Sequence, residues 1–272
     1  MKRFYNNKKT EGRTGMKLGG QLYTLREYTK DLDGIEKVFQ FCQSEGFETI
    51  QISGFGPVDP LELEKLVKKY EMDVCCTHSP WERMQNDLPA LIEEHKRMNC
   101  PVIGLGAMPI EARSDIHQLF LFVKKSREIA EKIKKAGLQF AYHNHNFEFQ
   151  LLEGRLLMDY LLQNTDPETY HFIPDTYWLQ MGGLNPADFI RYHLHDRVDV
   201  CHFKDFAVVG MTPVFAEVGE GNLNLFDCFK ACQEVGCSSI VIEQDECPRD
   251  PFDCLHYSYR NLIQLAMAAG DR

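Results

Sequence analysis

Four short stretches hold most of the residues able to grip a metal ion: Ala141–Phe149 (AYHNHNFEF), Ile173–Trp178 (IPDTYW), Val200–Asp205 (VCHFKD) and Val241–Asp245 (VIEQD). Each opens on an apolar or β-branched run and closes on His, Asp or Glu, the pattern of a buried strand whose end delivers a side chain to a shared site. An isolated carboxylate at such a place is too costly to desolvate, so it must be paired, hydrogen-bonded or metal-bound. Asp175, His202 and Glu243 are therefore expected to converge on one divalent cation. The structural alternatives are a helix cap for Asp175, a core imidazole for His202 with Lys204 pairing Asp205, and plain rim packing for Trp178.

The first stretch leaves a choice. His143, His145 and Glu148 are all capable ligands, and strand alternation puts His143 and His145 on one face. The preferred assignment takes Glu148 as the fourth ligand and leaves the two histidines as proton carriers or substrate contacts; His143 as ligand is the alternative. Glu148, Asp175, His202 and Glu243 would offer three carboxylates and one imidazole, with no thiolate. Such hard and borderline donors tolerate Mn²⁺, Mg²⁺, Co²⁺ or Zn²⁺. Four protein ligands leave room on the ion for two adjacent substrate oxygens. Lys204, beside His202, is placed to hydrogen-bond a substrate hydroxyl.

These residues need a frame that brings strand ends together. Apolar periodicity predicts eight strands, at Leu18–Tyr23, Glu48–Ile52, Asp73–Thr77, Val102–Leu105, Leu138–His143, His171–Asp175, Val198–Phe203 and Ser239–Glu243. Amphipathic runs of helical length lie between most of them, including Ile35–Glu45, Pro60–Tyr70 and Ile116–Lys135. Gly46, Gly137 and Gly236 suit left-handed helix C-termini, and Asp33, Asp59 and Asn185 stand where helices should begin. Eight strands alternating with helices in about 250 residues match a (β/α)8 TIM barrel. A doubly wound sheet would show a glycine-rich phosphate loop after an early strand, and Tyr23–Arg26 (YTLR) is not one. Residues 16–272 are thus expected to form a single barrel domain. In that fold the strands' C-terminal ends carry the site, which adds Tyr23, Arg26, Ser53 and His78 to its rim; Trp178, Tyr23 and Phe55 are expected to wall a substrate.

Composition narrows the partners. The 272 residues carry a net charge of −10, which argues against nucleic acid, since phosphate backbones demand clustered Lys and Arg. No apolar stretch approaches the ~18 residues of a membrane span. Residues 1–15 are basic and polar, without the apolar segment of a secretory signal, and read as a disordered tail; Met16 is itself a candidate start. The ten cysteines show no CxxC pair and several fall inside apolar runs, as expected of reduced thiols in a cytoplasmic protein.

At the motif residues the chain resembles the sugar phosphate isomerase/epimerase family with the xylose isomerase-like TIM barrel. The resemblance covers nearly all of Met16–Ala268 and rests on YHNHNFEF at Tyr142–Phe149, PDTYW at Pro174–Trp178, HFKD at His202–Asp205, VGEGN at Val218–Asn222 and VIEQD at Val241–Asp245. It implies one divalent metal held by Glu, Asp, His and Glu from strands five to eight, which supports Asp175, His202 and Glu243. Many members end strand five on a glutamate where this chain has His143. The implied activity is isomerisation or epimerisation of a small sugar, polyol or sugar phosphate through a metal-stabilised enediolate, with Glu243 and His145 or His143 moving protons and Tyr23, His78, Trp178 and Lys204 contacting substrate. The second reading is a lyase that dehydrates a keto-inositol or keto-sugar, as inosose dehydratase does. Minor readings are an endonuclease IV-like phosphodiesterase, disfavoured by the acidic charge, and a non-catalytic metal-binding regulator. The Gly219–Asn222 turn is either a simple turn or a cradle of N–H groups for an anion. A homo-oligomer is compatible with all of these.

Overall fold

The computed structural model describes residues 15–272; the expected tail, apart from Gly15, lies outside them. Eight parallel strands run around the molecule: β1 (Lys17–Gln21), β2 (Thr49–Ile52), β3 (Val74–His78), β4 (Val102–Leu105), β5 (Gln139–His143), β6 (Tyr170–Ile173), β7 (Val200–Phe203) and β8 (Ser239–Ile242). Their hydrogen-bonded order is β6-β5-β4-β3-β2-β1-β8-β7. The ring closes between β6 and β7 through two parallel bridges, Phe172 with Val198 and Asp175 with His202. This is the TIM barrel that periodicity predicts.

Among the described residues ten α-helices accompany the strands: α1 (Leu32–Glu45), α2 (Pro60–Lys69), α3 (Trp81–Asn86), α4 (Leu88–Arg97), α5 (Ile116–Lys135), α6 (Leu157–Asn164), α7 (Thr176–Met181), α8 (Pro186–His193), α9 (Leu225–Glu234) and α10 (Pro251–Ala268). Asp59 and Asn185 cap α2 and α8 by accepting backbone N–H groups. The cap of α1 is Asp31, whose carboxylate takes the Gly34 N–H, and the expected Asp33 lies in the first turn instead. Gly46 closes α1 at φ 78°, in the left-handed region.

Strand alternation explains the interior. Cys76, Val102, Ala141, Ile173, Val200 and Val241 belong to one buried apolar cluster inside the barrel. Two residues further along the same strands stand His78, Gly104, His143, Asp175, His202 and Glu243. The period of two thus stacks a polar layer directly above an apolar floor. The two layers meet closely: a Cβ on Gly104 would lie 2.3 Å from Thr77 O and 2.9 Å from Cys76 Sγ.

Two hairpins were not expected. One, Leu151–Leu152 with Arg155–Leu156, precedes α6; the other, Asp205–Val209 with Thr212–Ala216, follows β7. Asp205 anchors the second, accepting the N–H groups of Phe206, Gly219, Gly221 and Leu223. A Cβ on Gly221 would lie 2.3 Å from that carboxylate, so glycine is required for the approach. The Gly219–Asn222 turn therefore spends its donors on Asp205 and on the Phe206 and Glu217 carbonyls, which removes the anion-cradle reading. All ten cysteines are free thiols. No described helix is long and apolar enough to cross a membrane.

Candidate metal centre and cavity

The strand ends bring together His143, Asp175, His202 and Glu243, whose ligand atoms all lie within 4.8 Å of one another. All four are buried. Glu148, the preferred fourth ligand on sequence grounds, is held elsewhere. One of its oxygens accepts the Tyr142 hydroxyl and the other accepts the His145 backbone N–H at 2.8 Å. The Glu148 carboxylate thus braces the loop after β5, while His143, aligned above Ala141, faces the barrel axis.

Hydrogen bonding fixes how His143 presents itself. Its Nδ1 lies 3.1 Å from the Gly106 carbonyl, which can only accept, so Nδ1 carries the proton. The lone pair of a neutral His143 is then on Nε2, 3.4 Å from Asp175 Oδ2. His202 behaves alike: Nε2 donates to Gln51 Oε1 at 2.8 Å, leaving Nδ1 3.0 Å from Glu243 Oε2 and 3.8 Å from Asp175 Oδ2. Two nitrogen lone pairs thus face two carboxylates, an arrangement that a shared proton or a divalent cation would complete. The donor set, two imidazoles and two carboxylates, suits borderline divalent ions such as Zn²⁺ and Co²⁺ and accepts Mn²⁺.

Lys204 supplies a positive charge beside this cluster. Its Nζ is 3.1 Å from Asp175, 2.9 Å from Glu243 and 3.0 Å from Asp245, and 5.4 Å from the Trp178 ring centre. The expected alternative partner, Asp205, is instead consumed by its loop. Burial is the largest single influence and works against every charge here, yet Lys204 together with His143 holds Asp175 below the ordinary carboxylate range, and Lys204 together with His202 and His143 holds Glu243 well below it. For Asp245, burial and the Glu243 charge prevail and its pKa rises to about 6. Burial, followed by the neighbouring His143, depresses His145 to about 3. His143 shifts upward because Asp175 and Glu243 overcome its burial.

Above the cluster opens a cavity of about 530 Å³ whose lining includes Tyr23, Arg26, His78, His143, His145, Lys204 and Glu243. Ser53 Oγ lies 3.3 Å from His78 Nδ1 at its edge. Trp178 is not part of this lining but backs it, 5.4 Å from the His145 ring. Phe55 faces a neighbouring 300 Å³ cavity instead. Sequence reasoning missed Gln51, Ser79, Trp81, Asp245 and Glu246 as site residues. Gln51 was the most accessible of these, since a glutamine inside the TIQI strand is a buried polar group that needs a partner.

A barrel whose strand ends carry polar side chains beneath a cavity has the layout in which TIM-barrel enzymes place their active sites. Residues 39–253 match the family described as Xylose isomerase-like TIM barrel, and the chain belongs to it. No curated protein matches in sequence. Among solved structures, a sugar phosphate isomerase/epimerase from Parabacteroides distasonis is similar at 21% identity and a TM-score of 0.77, over 93% of this chain and 98% of that one. An L-ribulose 3-epimerase is similar at 14% identity and 0.73, over 94% and 96%. A D-allulose 3-epimerase from Methylomonas sp. follows at 14% and 0.69, over 93% and 98%. At these identities the likeness speaks for the fold.

Proposed function

We propose that the protein is a divalent-metal-dependent isomerase or epimerase of a small sugar or polyol, with His143, Asp175, His202 and Glu243 as its metal ligands. The observation that carries this is the His143 tautomer: Gly106 takes its only proton and turns the free nitrogen toward a carboxylate across a buried centre. A divalent ion held there would polarise a carbonyl and its neighbouring hydroxyl and so acidify the carbon between them. The names of the structural neighbours, L-ribulose and D-allulose epimerases among them, favour a ketose substrate.

The chain's own residues then divide the work. His145, which lines the cavity with its buried Nδ1 unpartnered, serves as proton carrier on one side of the substrate. Glu243 lies on the other side and handles the second proton. Lys204 steadies a substrate oxygen, while Tyr23 and His78 line the cavity and complete the enclosure. Trp178 backs His145 and Lys204. A cytoplasmic location belongs to the same reading.

Asp245 favours a second reading. With its pKa raised to about 6 and its side chain on the cavity, it is able to hand a proton to a departing hydroxyl, as a dehydratase requires. Incubation with Mn²⁺ and ketoses in D₂O separates the two. Deuterium next to the carbonyl without loss of water supports the isomerase or epimerase. Loss of one water supports the lyase, and no exchange with any ketose contradicts both.

A further inference from the structure

Ser79 stands at the end of a buried chain of hydrogen bonds whose direction is fixed by its far terminus. His95 Nδ1 lies 2.7 Å from the Leu91 carbonyl, so that nitrogen donates. Its Nε2, 2.8 Å from Thr77 Oγ1, must then accept the only proton Thr77 has. Burial lowers the His95 pKa to about 4, which keeps the ring neutral and the chain directed. Thr77 in turn lies 2.9 Å from Ser79 Oγ and has nothing left to give, so Ser79 donates to it. What Ser79 retains is lone pairs, and the residue borders both the cavity above the candidate metal centre and the neighbouring 300 Å³ cavity that Thr77 and His95 also line.

The backbone holds this arrangement in place. Ser79 N–H donates to Gly104 O at 2.8 Å, tying the residue to β4. Thr77, Ser79 and His95 are all buried, which limits competition from bulk water along the chain. The cationic lining of the cavity is also committed. Arg26 donates to the Tyr23 and Asp245 carbonyls, and Lys204 is shared among three carboxylates. Glu243, Asp245 and Glu246 add negative charge to the same lining.

We propose that Ser79 is an acceptor-only, specificity-determining contact that selects a hydroxyl donor on an unphosphorylated polyhydroxy substrate. This rests on the sugar reading above and deepens it. A phosphate oxygen or a fluorine at the same place would set lone pair against lone pair. The neutral hydroxyl is the group that completes the chain, and Thr77 and His95 act through Ser79 as positioning residues.

The test compares wild type, Ser79→Ala and Thr77→Val, each with Mn²⁺, on L-ribulose, D-fructose and D-allulose, on their monodeoxy and monodeoxyfluoro forms, and on ribulose 5-phosphate. The loss of one hydrogen bond predicts that Ser79→Ala raises KM for a ketose about tenfold, with kcat changed less than twofold. One deoxy position should cost wild type that factor and cost Ser79→Ala nothing, with the fluoro form no better than the deoxy form in wild type. Thr77→Val frees the serine proton, so it should improve binding of that fluoro form. An unchanged KM in Ser79→Ala, or a fluoro form bound as well as the hydroxyl by wild type, overturns the inference while leaving ketose turnover intact. Absence of turnover on every ketose overturns the sugar reading and this inference together.

Discussion

Asp175 and His202 are bridge partners across the seam where the barrel closes. The His202 N–H donates to Pro174 O at 2.9 Å, and the two side chains meet 3.8 Å apart inside. Closing the ring and bringing together half of the candidate metal centre are therefore one structural event. The seam has only two bridges, at Phe172–Val198 and Asp175–His202, where the other strand pairs have three or four partners. A ligand that binds only the folded form adds stability by mass action, ~2.7 kcal/mol at a hundred times its Kd. Amide hydrogen exchange at Phe172 and His202 should slow on addition of Zn²⁺ or Mn²⁺ more than exchange in β3. Equal slowing everywhere would separate the seam from the site.

Lys204 neutralises carboxylates that have no other full positive charge in contact. Its replacement by methionine leaves Asp175, Glu243 and Asp245 facing one another. Breaking a buried ionic cluster by removing one partner costs about 3–5 kcal/mol. Denaturant unfolding of Lys204→Met in EDTA should show that loss, and excess Mn²⁺ should recover most of it. The same loss with and without metal would contradict the shared centre.

Gln51 sets the His202 tautomer through its carbonyl oxygen. Outer partners of metal-bound histidines typically contribute 10–100-fold in affinity. Gln51→Leu is expected to weaken Zn²⁺ binding by about that factor, measured by competition with a chromophoric chelator. Gln51→Glu, which still accepts the His202 proton, should retain most of the affinity. Equal behaviour of the two variants would show that Gln51 does not orient the ring.

Glu148 provides a pH signature independent of metal. Burial is the main cause that raises its pKa from 4.5 to about 7. A carboxyl raised on folding contributes its full stability below its unfolded value, loses it as pH climbs from about 4.5 to 7, and changes nothing further above. The loss amounts to about 3 kcal/mol. Glu148→Gln keeps one of the two hydrogen bonds and gives up ~1 kcal/mol for the other. In EDTA the variant should be less stable than wild type at pH 4.5 and more stable at pH 8. Parallel curves would refute this.

The strands were legible because their interior residues are apolar and β-branched, and because His, Asp or Glu closes the later ones. Three members of the candidate cluster, Asp175, His202 and Glu243, follow from that pattern. His143 against Glu148 did not, although parity held the clue: Ala141 and His143 share a face, and Ala141 lies on the barrel floor. The partnership of Tyr142 with Glu148 depends on how the loop after β5 folds back, which no periodicity records. Lys204 meeting Asp245 rather than adjacent Asp205 is likewise a long-range pairing, 41 residues apart in the chain. The hairpin after β7 escaped because alternation in Asp205–Ala216 is broken by Gly210 and Pro213.

The most direct test is metal content by equilibrium dialysis against Zn²⁺ or Mn²⁺, for wild type, His143→Ala, His202→Ala and Glu148→Gln, with folding checked by circular dichroism. One tightly bound ion per chain in wild type and in Glu148→Gln, lost from both histidine variants, is the expected result. Retention of the ion by folded His143→Ala, or its loss from folded Glu148→Gln alone, would contradict a centre built on His143, Asp175, His202 and Glu243.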